Sequence, residues 1–164
     1  MIRFLIFFFI GTAFMTAQNP QLEKVRTLYG QAAEKEKAAR ELLVLTEQKN
    51  SDEPVLLGYK AAGHMMMAKH VGNPFKKMSH FNKGKDYLSR AIEADKQNLE
   101  LRFLRFAVQA EAPGFLGYRE NLQEDKALLL KGVGQIEDRE LHKMILNYLK
   151  NSNSLTSAEK ERLE

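Results

Sequence analysis

The 164-residue chain contains no cysteine. That absence excludes disulfides, thiolate metal sites and cysteine nucleophiles. It also excludes the lipid-bearing cysteine that follows a bacterial lipoprotein signal. Proline is scarce, with four residues, and the ten glycines are not clustered. No segment alternates Val, Ile or Thr with polar residues, so no strand is predicted. The chain has no GxSxG elbow, no HExxH, no P-loop and no GxGxxG, so no enzyme class and no cofactor is indicated. A large excess of one charge is missing too: 25 Lys and Arg face 21 Asp and Glu, a net +4. Both signs are interspersed, as in EKEKAARE, which lacks the clustering of a nucleic-acid footprint.

Long apolar runs are absent but for one. Arg3 precedes an apolar stretch from Phe4 to Met15, followed by small and polar residues. About twelve residues are too few to span a bilayer, which takes roughly 20, but they suit the core of a secretory signal peptide. Met1–Ala17 is therefore expected to be removed, leaving one domain over residues 18–164 with a net +3. The expected location is periplasmic or extracellular, with no stable membrane anchor after cleavage.

Helix is the dominant period from Pro20 onward. Leu22, Val25, Tyr29, Ala32, Ala39 and Leu43 keep one face apolar, and predict one helix from about Pro20 to Lys49. Ser51 or Asp52 is expected to cap the next, with Pro54 in its first turn. That helix runs to about His70. Gly72, Asn73 and Pro74 then read as a left-handed stop, an N-cap and a first helical residue. Further helices are expected to Asp95, over Leu99–Glu111, Asn121–Lys131 and Asp138–Asn151. A short last one follows a capping box at Thr156 and Glu159. Seven helices with short loops predict an all-α domain of antiparallel hairpins.

The Leu99–Glu111 helix is apolar almost all round, as a central helix is. Arg102, Arg105 and Gln109 share one narrow stripe. Either the stripe is a window to solvent, or the guanidinium groups are buried beside a carboxylate such as Glu93, Glu100, Glu111 or Asp125. The Pro113–Tyr118 segment reads as a tight turn on Gly114 and Gly117, with Phe115, Leu116 and Tyr118 tucked into the core.

Asp86 to Asn98 resembles the second helix of a tetratricopeptide repeat and its turn. Leu88 and Ala91 fit the repeat's paired positions, Lys96 stands where proline is usual, and Asn98 and Leu99 open the next helix. Leu57, Gly58 and Ala61 suggest a distorted first helix. This resemblance implies a right-handed stack of six to seven helices with a groove for a helix or peptide. Glu100–Arg105, Pro113–Tyr118 and Asp125 together resemble the core of small exported helical proteins of bacteria, which implies location and no activity.

The expected role is a protein-interaction or scaffolding module, with Tyr59, Arg102, Arg105 and Tyr118 as groove contacts to a protein or peptide of the envelope. A second class is a small-ligand or metal binder, centred either on the arginine stripe, which could take an anionic ligand, or on the histidines and methionines after Gly63. Gly63–Phe81 holds three histidines and four methionines, donors that suit Cu(I), and His64, Met67 and His70 are the candidate ligands. The competing reading is that these methionines fill the core. Asp138 and His142 read as an N-cap beside a surface histidine.

Overall fold

The computed structural model describes residues 20–47 and 53–163. The expected signal segment Met1–Ala17 and the capping candidates Ser51 and Asp52 lie outside these. Among the described residues there is no strand, and the fold is all-α. The helices are α1 Pro20–Ala32, α2 Glu36–Glu47, α3 Pro54–His70, α4 Pro74–Ala94, α5 Leu99–Glu111, α6 Leu122–Gly132, α7 Arg139–Asn151 and α8 Ser157–Glu161. Short 3₁₀ turns follow α5 at Gly114–Leu116 and α6 at Val133–Gln135.

The caps are local chemistry. Asn73, Asn98 and Asp138 each accept hydrogen bonds from two backbone amides at the start of α4, α5 and α7. Thr156 and Glu159 form the reciprocal capping box of α8. Pro54 and Pro74 stand in first turns, where a missing N–H costs nothing. Gly72 differs from expectation. The C-cap of α3 is Val71 in extended backbone, and Gly117 is the one described residue with positive φ, at 60°.

The single helix expected from Pro20 to Lys49 is two helices, hinged at Ala33–Lys35. Val25, Tyr29 and Ala32 are buried on α1, and Ala38, Ala39, Leu42 and Thr46 on α2. At 100° per residue the second set is rotated roughly 90° from the first. A straight helix cannot press both stripes against α3. The fold-back lets both α1 and α2 pack on α3.

α2 packs on α1 and α3, α4 on α3 and α5, and α6 on α5, while α1, α3, α5 and α7 form a row. An aromatic ladder runs through that row. Tyr29 meets Tyr59 and Phe103 edge-on with centroids 5.7 and 6.2 Å apart, and Phe103 meets Tyr148 at 5.4 Å. Edge-to-face pairs of this kind add to the burial of their rings. One cluster of buried residues extends from Val25 to Leu155. α4 approaches α3 closely at Gly84, where a Cβ would sit 2.5 Å from Met65 Cγ and 3.0 Å from the Ala61 carbonyl.

Candidate functional site

The four expected groove contacts are engaged inside the fold. Tyr59 is fully buried, and its hydroxyl donates to Glu100 Oε1 at 2.6 Å. Burial, then the Glu100 charge, raises its pKa well above the ordinary value. Arg26 donates to both oxygens of Glu100 and, through Nη1, to Asp138 Oδ2 at 2.6 Å. Burial opposes the Arg26 charge, but Glu100 and Asp138 outweigh it and its pKa rises. Tyr59, Glu100, Arg26 and Asp138 thus join α3, α5, α1 and the cap of α7.

A second buried cluster joins α5 to α6. The Asp125 side chain has 0% exposure and receives Arg102 Nη1 at 3.0 Å and Arg105 Nε at 2.6 Å. Arg102 also donates from Nε and Nη2 to the Lys96 carbonyl, and from Nη1 to Glu124. Of the two alternatives for this stripe, the structure shows the paired arrangement, with Asp125 as the partner. Gln109 is fully buried beside it. Its amide atoms and the Tyr118 hydroxyl make no well-formed hydrogen bond. Burial raises the Tyr118 phenol to about 12, and Arg105 and Gln109 act against the rise.

The three candidate metal ligands are engaged elsewhere. His70 Nε2 is 2.7 Å from the Ala32 carbonyl, to which it donates. His64 instead meets His80 of α4, Nδ1 to Nδ1 at 3.0 Å, and stacks on Tyr87. One ring must donate and the other accept, so the accepting ring is neutral and protonation of both rings breaks the contact. His64 Nε2 lies 3.8 Å from Glu47 Oε1. Met65 and Met67 are buried in the core. No group of three or more His, Asp or Glu among the described residues is placed to hold a metal.

One surface feature stands apart from these satisfied clusters. Phe115, expected in the core, is 87% exposed, and Phe75 is 86% exposed, with Met78 exposed nearby. Gly117, in its left-handed conformation, turns the chain so that Tyr118 goes inward and Phe115 stays out. Tyr118 packs edge-on against Phe81 of α4 and beneath the Lys85 ammonium. Met78 is one helical turn before Phe81, and Phe75 lies roughly 9 Å before it along the axis. Phe115, three residues from Tyr118, is within about 10 Å of the same contact by chain length. Phe75 and Met78 thus lie on the first turns of α4, and Phe115 in the turn whose Tyr118 packs on Phe81 of the same helix.

This region is basic. From Pro54 to Lys85 the chain has six lysines and no Asp or Glu. None of the six pairs with a described carboxylate. The even mixing seen in EKEKAARE does not extend to this span, and a count of acidic residues along the chain was the signal that finds it. Comparison with family models, with curated proteins and with solved structures finds no match.

Proposed function

We propose that this chain is an exported docking module without catalytic function. Its helices form a right-handed tetratricopeptide-like stack, and its working surface is the basic, apolar region around Phe75, Met78 and Phe115. What supports the stack is the row α1, α3, α5, α7, in which each odd helix packs on the next while α2 and α4 bridge neighbouring ones. What carries the docking reading is two phenylalanines more than 85% exposed beside a run of unpaired lysines. Large exposed apolar side chains that join into one patch are a recognised mark of an interaction site. The ladder and the two buried ion-pair clusters give the surface a rigid support.

Site-specific photo-cross-linkers at positions 75, 115 and 44 in living cells test the reading. Positions 75 and 115 should give the same adducts, and the paired substitution Lys76→Glu with Lys77→Glu should abolish them. Val44, an exposed apolar residue of α2, should give none of these adducts. Equal labelling from all three positions would overturn it. Cell fractionation that leaves the protein in the cytoplasm would overturn the export.

A further inference from the structure

We propose that the partner of this region is an anionic lipid bilayer surface, touched by Phe75, Met78 and Phe115 and held by the lysines around them. The proposal rests on the docking reading above and names its partner. Two observations support a bilayer over a folded acidic protein.

The first is shape. Every residue from Gly72 to Ser79 is exposed, so the first turns of α4 project from the body rather than line a groove. On the α4 wheel Phe75 lies roughly 150° from the centre of the buried stripe of Phe81, Gly84, Leu88, Ala91 and Ile92, and Met78 lies at the edge of that stripe, about 60° from Phe81. Phe75 points away from the protein. A bilayer interface accepts isolated projecting rings, whereas a protein partner needs a matching pocket for each.

The second is charge. Lys76 and Lys77 follow Phe75 directly in the first turn of α4, about 100° and 160° from it on the wheel, Lys83 lies about 80° from it two turns on, and all three are exposed, as is Lys69 at the end of α3. Apolar side chains entering the acyl boundary with ammonium groups at phosphate depth is how interfacial segments bind anionic lipid. Glu111 and Glu120 stand on either side of the Pro113–Tyr118 turn in sequence, and Glu120 adjoins Arg119.

The chain has no tryptophan, so Phe75→Trp, Phe115→Trp and Val44→Trp each place a single fluorophore at a chosen point. The probes are vesicles of phosphatidylcholine alone, and of phosphatidylcholine with phosphatidylglycerol, each with and without brominated acyl chains. With the anionic vesicles, Trp at 75 and at 115 should shift to the blue and be quenched by bromine. Trp at 44 should do neither, whatever else in the chain touches the vesicle. Adding Lys76→Glu and Lys77→Glu should weaken the partitioning by at least about 25-fold, since each lysine near the surface is worth roughly fivefold. Unchanged emission at 75 and 115 with anionic vesicles overturns the proposal. If poly-glutamate then shifts those positions and not 44, the docking reading stands with an acidic polypeptide as partner. If neither probe shifts them, both readings fall.

Discussion

Arg26 of α1 clasps Glu100 of α5 from 74 positions away, Nε to Oε1 at 2.7 Å and Nη2 to Oε2 at 2.8 Å. The two side chains are 10% and 5% exposed. Planar, bidentate pairing in so dry a place is worth little against an apolar substitute, but leaving one partner alone is costly. Arg26→Ala should therefore lower unfolding stability by about 3–5 kcal/mol. Arg26→Met combined with Glu100→Leu should cost less than either single change, and urea unfolding of the three variants measures the difference.

Asp125 and Glu124 are neighbours in sequence and opposites in environment, with side chains 0% and 55% exposed. Asp125→Ala strands two guanidinium groups and should cost about 3–5 kcal/mol. Glu124→Ala removes a solvated contact and should cost under about 1 kcal/mol. Similar losses for the two in chemical denaturation would contradict the assignment of Asp125 as the shared partner.

The His64–His80 contact makes stability fall in mild acid. Burial, then His80, Lys83 and Lys60, lowers the His64 pKa from 6.5 to about 4. His80 is lowered by burial and Lys83, against the raising effect of Glu47. A folded pKa below the unfolded one means that the unfolded chain takes up protons first as pH falls. The pair's contribution is full above about pH 6.5 and is lost between there and about pH 4, with at most about 3 kcal/mol from His64. His64→Leu should flatten the slope of stability against pH in that window. An unaltered slope would show that the acid sensitivity comes from other groups.

Gly84 sets the spacing of α3 and α4. Alanine would gain roughly 1 kcal/mol of helix propensity. Its Cβ, however, would lie 2.5 Å from Met65 Cγ and 3.0 Å from the Ala61 carbonyl. Overpacking of that kind costs about 1–3 kcal/mol, so Gly84→Ala should lower the melting temperature rather than raise it. Gly30, on α1 with open space around it, is the control: there alanine should stabilise.

Local rules were readable in the chain. Asn73, Asn98, Asp138 and Thr156 cap helices because their side chains reach amides two or three residues away, and no distant residue is needed for that. The bounds of α3, α4, α5 and α7 follow from those caps and from the apolar period. The break between α1 and α2 is different. No glycine or proline marks Ala33–Lys35; what decides it is the mismatch of two apolar stripes against a third helix.

Sequence alone thus determined that the chain is helical, where most helices begin, and that Arg102 and Arg105 stand on an otherwise apolar helix. Only the tertiary structure decided their partner, Asp125, among Glu93, Glu100, Glu111 and Asp125. It likewise paired His64 with His80 instead of His70, and sent Phe115 outward while Tyr118 went in. The physical reason is common to all three. A cap or a helical face is a matter of a few neighbouring residues, whereas a buried charge, a shared proton or an exposed ring depends on which distant surface arrives beside it.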